Sequence, residues 1–451
     1  MSSDKTEPTT SEFAQVLSAV PLRPALLPRQ LSDEEFALFA RVGAARQVNQ
    51  GEIIFRRGEL GRSMRLRRCQ HVLAEPRERR EFDLQLLLSA TPTLASIVEW
   101  FALAPHLDRE VALAADEVAL LGVVSPSEWS DADALAQMHG RAQVDALLAK
   151  GLLVADDDSA AAIADRALRV QHWRPLSAVA HRHSRWRCVD TEVENERLAE
   201  ISGGAVLDHL GPPPPPVLEC VPAERRIGLS RGAPSALDAM LDQRVTCRNF
   251  DTARSLALAE VGAVLYRAFG ARIQVDVTGV QVLKKGVPSA GGLHPTEAYL
   301  LVQRVEGLAP GLYHYQPVAH ALEPLRELSS ADANDLARRF VAAQPYFTHA
   351  PVQLIMASRF ERNFWKYRNH AKAYRATILD AGHLSQTLYL AATELGLAAF
   401  ITAAINEGDI EDAFGLDPMD QGVLSVSGFG HRGPERSEIE FDPLHAVWPP
   451  T

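Results

Sequence analysis

Lys366 and Tyr367 stand side by side in Phe364-Trp365-Lys366-Tyr367-Arg368-Asn369-His370, at the head of a long helical pattern. An ammonium and a phenol are poor bases in water. In a dry site each lowers the other's cost of losing a proton, because burial disfavours the charged lysine and a nearby cation favours the phenolate. Such a pair suggests proton abstraction, provided that a neighbouring cofactor takes the electrons. A surface dipeptide at a helix start is the competing reading.

Two further stretches could serve such a cofactor. Arg244-Val245-Thr246-Cys247-Arg248-Asn249-Phe250 sets two arginines four apart around a hydroxyl, and forked guanidinium donors suit a phosphate. Pro288-Ser289-Ala290-Gly291-Gly292-Leu293-His294-Pro295 is rich in small residues, which let backbone approach a flat ligand closely. The alternating run Ala298 to Val302 predicts a strand that holds this loop.

Taken in order, the Arg-Thr-Arg start, the Pro-Ser-Ala-Gly-Gly-Leu-His-Pro loop, the strand Gly311 to Tyr315 and the blocks around Lys366-Tyr367 resemble the FMN-dependent nitroreductase superfamily. The resemblance runs from about Leu241 to Gly433 and is nearest to the SagB-type dehydrogenases, which oxidise azoline rings in ribosomally made peptides. It implies FMN as cofactor, with Arg244, Thr246 and Arg248 at the phosphate and ribityl chain and Ser289, Ala290, Gly291 and Gly292 bordering the isoalloxazine. It also implies backbone amides of Ala403 and Ala404 at the flavin N5, Arg432 as a second phosphate ligand, and Lys366 and Tyr367 as catalytic base. Gly292 stands where simple nitroreductases often carry asparagine, which favours the peptide-modifying branch. The implied reaction removes the α-proton of a thiazoline or oxazoline while hydride passes to the flavin, giving an azole. An NAD(P)H-dependent nitro- or quinone reductase, and a non-catalytic scaffold of a peptide-maturation complex, are the alternatives.

The implied fold for residues 236–451 is α+β, a mainly antiparallel sheet wrapped by helices, in an intertwined homodimer with FMN at each subunit interface. Positioning then falls on a few elements. No proline interrupts Val352 to Asp417. Tyr367 and Tyr374 are seven apart, hence on one helix face, and Ile378, Leu384, Leu388, Ala392 and Leu395 continue an apolar stripe that buries that helix together with His383.

Upstream, Gly211 and the five prolines Pro212 to Pro216 predict a stiff spacer within a linker at 206–235. Residues 81–205 suggest an N-terminal α+β region with a winged-helix-like module. A helix is expected with 94, 97, 98 and 101 on one face, capped by Thr93, and another over Gln143 to Lys150, stopped by Gly151 and followed by a strand at Leu152 to Val154. Leader-peptide recognition modules resemble this, so a precursor peptide and a cyclodehydratase partner are expected. His172 to Arg187 reads as irregular surface chain, with His181 and His183 exposed. Within residues 1–80, Leu31 to Met64 resembles the opening of a cyclic-nucleotide-binding β-roll and lacks the later phosphate-cradling segment.

Composition narrows the remaining classes. A chain of 451 residues with 47% apolar content predicts two or three packed domains. Its formal net charge of -11 argues against nonspecific nucleic-acid binding. Cys69, Cys188, Cys220 and Cys247 are scattered, so no metal site or disulfide framework is expected. The polar stretch Met1 to Phe13 and the lack of a long apolar run predict a cytoplasmic protein without membrane segments.

Overall fold

A computed structural model describes residues 64–82, 94–193 and 212–450. The β-roll-like stretch up to Ser63, Leu84 to Thr93 and the end of the winged-helix-like region lie outside the described residues.

The first half begins with β1 (Arg65–Arg68), β2 (Leu73–Phe82), β3 (Leu94–Leu103) and β4 (Val111–Leu113). After α1 (Ala115–Val123) come β5 (Ser130–Asp131), α2 (Ala132–His139), α3 (Arg141–Ala149), β6 (Leu153–Ala155), α4 (Ala160–Val170) and α5 (Pro175–His183). Gly151 takes φ +69° between α3 and β6, the stop expected of a glycine past a helix end. Strand β1 pairs antiparallel with both β5 and β6, while β2, β3 and β4 form a second antiparallel sheet. Strand β2 crosses residues 80 and 81 without a break, so the change in composition there marks no structural boundary.

The stretch expected as a helix around 94–101 is β3. Its apolar positions satisfy both periods, and pairing along all ten residues of β2 decides for the strand, where Ile97, Val98, Trp100 and Phe101 are well suited to a pleated surface.

From Pro212 to Pro234 the described chain is exposed and, apart from one short turn of 3-10 helix, irregular. The second half then runs α6 (Ala236–Gln243), α7 (Leu258–Ala268), β7 (Ala271–Val277), β8 (Val280–Lys285), β9 (Thr296–Val302), β10 (Gly311–Gln316) and β11 (Ala321–Glu327). It continues with α8 (Ser330–Phe340), α9 (Pro345–Thr348), β12 (Val352–Arg359), α10 (Phe360–Phe364), α11 (Ala373–Glu394), β13 (Ala398–Thr402), α12 (Glu407–Phe414) and β14 (Gln421–Gly430). Six strands pair antiparallel in the order β11-β10-β9-β12-β14-β13.

Both faces of that sheet are covered. Ala298, Leu300 and Val302 join Val261, Val264 and Leu265 of α7 and Leu384, Leu388 and Ala392 of α11, whereas Tyr299 and Leu301 join Ala333, Ala337 and Phe340 of α8. Central strands buried on both sides explain why Ala298 to Val302 is almost wholly apolar. The second half is therefore the expected α+β arrangement, an antiparallel sheet wrapped by helices.

Candidate active site

Lys366 and Tyr367 do not start a long helix. Helix α10 ends at Phe364 and α11 begins at Ala373, so the pair lies on the turn between them and Tyr367 shares no helix face with Tyr374. Asn369 breaks the pattern by taking φ +52°. The amides of Lys366 and Tyr367 both donate to the Asn363 carbonyl, at 3.3 and 3.2 Å, and the buried Asn363 side chain reaches across to the Ala373 carbonyl at 2.8 Å.

The small-residue loop meets this turn. Gly291 has φ +61°, and a Cβ placed on it would lie 2.8 Å from both Lys366 Nζ and Tyr367 Oη. Gly292, at φ +69°, faces open space. The loop is tied down by Asp380 of α11, whose carboxylate accepts the Ser289 hydroxyl at 2.5 Å and the Ala290 amide at 3.1 Å. Burial raises the Asp380 carboxyl above its ordinary range, against the lowering effect of those two donors. Ser289 Oγ in turn accepts the His294 amide at 3.0 Å. Burial, helped by Lys285, Lys284 and Arg362, lowers His294 to about 4 and keeps it neutral near pH 7.

Gly291, Lys366 and Tyr367 line an open cleft of about 640 Å³. Val277, Val280 and Val282 of the β7-β8 hairpin form its apolar wall, with Trp365 beside them. Lys366 is exposed in the single chain, so the dry setting expected for the pair is not supplied by this chain alone.

The other candidate residues fall into separate groups. Arg244 rests its guanidinium 5.4 Å over the Tyr389 ring, and the Thr246 hydroxyl pairs with Tyr389 Oη at 3.0 Å, because residues 245–247 run beside β13 and turn these two side chains onto α11. Arg248 does not converge with them. It lies 5.0 Å over Tyr346 and donates to the Ile439 carbonyl at 2.8 Å.

Arg432 is also occupied, by an ion pair with the buried Glu440 and a bond to the Val245 carbonyl. Glu440 further accepts the Arg248 and Asn249 amides and the Trp448 indole N–H, so this arginine is held in a buried cluster and is not free for a phosphate. Ala403 is exposed just past β13; the Ala404 amide already donates to Thr402 Oγ1 at 3.1 Å.

Asp380 and Trp173 carry roles that the sequence did not assign them, and His181 is placed differently from expectation. Asp380 carried a usable signal, being a carboxylate spaced four and eight residues from Leu384 and Leu388 on the stripe that α11 buries. His181 is buried, not exposed: its Nε2 donates to the Pro418 carbonyl at 2.9 Å and its Nδ1 accepts the Tyr374 hydroxyl at 3.0 Å. Trp173 is fully buried beside it. His183 is only partly covered, and Ile378 and His383, expected on the buried stripe, are exposed. Among the described residues no cluster of three or more His, Cys, Asp or Glu could hold a metal ion, and no helix is long and apolar enough to cross a membrane.

The donor set fits a flavin mononucleotide in part: a guanidinium and a hydroxyl at Arg244 and Thr246 that have no carboxylate partner among the described residues, and a left-handed glycine pair at 291 and 292 that leaves the backbone bare. An antiparallel sheet wrapped by helices, with this loop against α11, is the arrangement that the resemblance to nitroreductases implies.

The chain belongs to the nitroreductase family. Residues 241–431 match that family, and 176 residues are 31% identical to a Methanocaldococcus jannaschii protein described as a nitroreductase, MJ1384, covering 39% of this chain and 82% of that one. The chain is also similar to the trifolitoxin-processing protein TfxB of Rhizobium leguminosarum bv. trifolii, 33% identical over 147 residues, which is 32% of this chain and 39% of TfxB. Similarity to the microcin B17-processing protein McbC of Escherichia coli is 27% over 195 residues, covering 40% of this chain and 65% of McbC. The chain thus spans less than two thirds of either peptide-processing protein.

Proposed function

We propose that this chain is an FMN-dependent dehydrogenase that matures a ribosomally made peptide by oxidising azoline rings to azoles. The observation that carries the reading is the meeting of Gly291 with Lys366 Nζ and Tyr367 Oη in one cleft. Family membership and the similarity to two proteins named for processing peptides support it.

FMN would be held by Arg244 and Thr246 at its phosphate, by Ser289 to Gly292 along its ring and by the backbone at Ala403. When bound it supplies a two-electron acceptor. The residues of this chain do the rest. Lys366 and Tyr367 take the ring's α-proton, Asp380 fixes the loop that sets substrate against them, and the hairpin wall excludes water from an apolar ring. The neighbouring ring carbon gives up its hydrogen with two electrons, so the product is lighter by two hydrogens, with dioxygen as final acceptor.

A second copy of the chain would close the open side of the cleft, where Val277 and Trp365 are exposed and Val280 and Val282 partly so, and make the setting of Lys366 dry. The first half, with its winged-helix-like module, would recruit the precursor peptide or a cyclodehydratase. The deciding experiment is to purify the protein, record its flavin spectrum, and look by mass spectrometry for loss of two hydrogens from an azoline-bearing peptide. Colourless protein, or rapid NAD(P)H turnover that is indifferent to Lys366→Ala, would contradict the reading. So would retained oxidation in the Lys366→Ala/Tyr367→Phe double variant.

A further inference from the structure

Between α4 and α5 the chain turns a corner at His172-Trp173-Arg174, and this corner of the first half grips the turn that carries Lys366 and Tyr367. His172, left-handed at φ +61°, accepts the amide of Asn369, left-handed at φ +52°, at 3.2 Å. Arg174 Nη1 donates to the Asn369 carbonyl at 3.4 Å. Both main-chain polar groups of one residue in the turn are thus held from outside it.

Trp173 fills the space between. Its ring centroid is 4.7 Å from those of both Phe360 and Phe364, and its indole nitrogen donates to the Met419 carbonyl at 2.9 Å. Tyr367 packs against this aromatic cluster. On the far side, the Trp173 carbonyl is bonded to His71 Nε2 at 2.9 Å, which ties the corner to the loop between β1 and β2.

The turn's own bonds are all local. The amides at 366 and 367 share the single Asn363 carbonyl, the His370 amide donates to the Tyr367 carbonyl and the Ala373 amide to the His370 carbonyl, both at 3.0 Å, the Lys372 amide donates to His370 Nδ1 at 3.1 Å, and Arg368 Nε donates to the Trp365 carbonyl at 3.2 Å. A mostly exposed turn held within itself only by bonds between near neighbours can move as a unit unless something external fixes it, and a base displaced by an ångström loses much of its effect.

We infer that the His172-Trp173-Arg174 corner is a positioning element for Lys366 and Tyr367, so that the first half of the chain shapes the chemistry and does more than recruit a peptide. The inference rests on the reading of that pair as the base. The corner touches no substrate; it acts through Asn369 and the aromatic cluster.

The test uses the full-length FMN-loaded protein with Arg174→Ala, Arg174→Lys and Trp173→Phe. Arg174 is exposed, so its variants fold, and phenylalanine keeps a ring while removing the indole donor. Amide hydrogen exchange of residues 364–372 should quicken in Arg174→Ala and Trp173→Phe while β12 stays protected. The kcat for peptide oxidation should fall about tenfold with KM changed less than twofold, and Arg174→Lys should recover most of it. Unchanged exchange in both variants would overturn the inference without touching the proposed function. A raised KM with intact kcat would overturn it too, assigning the corner to recruitment. Faster exchange with kcat and KM both intact would instead remove Lys366 and Tyr367 from the role of base, and the inference with them.

Discussion

Gly291 lies directly against Lys366: a Cβ on this glycine would come 2.8 Å from the lysine Nζ, and equally near Tyr367 Oη. Gly292 shares the left-handed backbone, at φ +69° against +61°, yet a Cβ on it would meet nothing within 4 Å. The two glycines therefore separate backbone strain from crowding. Gly291→Ala and Gly292→Ala should each cost about 1 kcal/mol or more of stability, read as melting temperature. Only Gly291→Ala should also displace Lys366 and Tyr367 and, if the proposed function holds, lower oxidation at least about tenfold.

Arg244 and Arg432 look alike in sequence and differ in their partners. Arg244 sits on the Tyr389 ring, whereas Arg432 is paired with the buried Glu440. Arg244→Ala should weaken FMN binding by about 2 kcal/mol, measured by flavin fluorescence titration, and leave the melting temperature nearly unchanged. Arg432→Ala should mainly destabilise, because it strands a buried carboxylate.

His181 gives the protein an acid limb. Burial first, then Arg185 and Arg182, lowers this imidazole from 6.5 to about 3. The unfolded chain binds that proton more readily than the folded one between these values. Stability from His181 is therefore full above about pH 6.5 and lost as pH falls towards 3, with a slope of at most about 1.4 kcal/mol per pH unit. Urea unfolding at several pH values should show a flatter acid limb in His181→Gln, which keeps a donor and an acceptor for Pro418 and Tyr374.

Arg185 and Glu411 form a buried ion pair, with 7% and 3% of their side-chain surfaces exposed, and Glu411 also accepts the Val423 amide at 3.1 Å. Burial lowers Arg185 from 12.5 to about 10. Arg185→Met leaves a lone carboxylate inside and should cost about 3–5 kcal/mol by chemical denaturation. The double variant Arg185→Met/Glu411→Leu should recover part of that loss, because no charge is then stranded.

The loop at 288–295, the strands at Ala298 to Val302 and Gly311 to Tyr315, and the helix with its glycine stop at Gly151 were legible because each rests on local chemistry: small residues, short apolar and aromatic runs, a left-handed stop. Much of the site was not. The run 94–101 satisfied helix and strand periods alike until β2 paired with it. His181 looked like surface chain because nothing local reveals that Trp173, Phe360 and Tyr374 enclose it. Only the family resemblance assigns Arg432 to a phosphate, while Glu440 takes its charge.

Lys366 and Tyr367 show the division most clearly. The sequence alone determined which residues could abstract a proton and that a glycine-rich loop would accompany them, since side-chain chemistry and backbone freedom are properties of single residues. The tertiary structure alone decided that the pair leaves the helix, faces Gly291 and is gripped at Asn369 by His172, because those bonds join groups far apart in the chain, whose meeting depends on the packing of the whole fold.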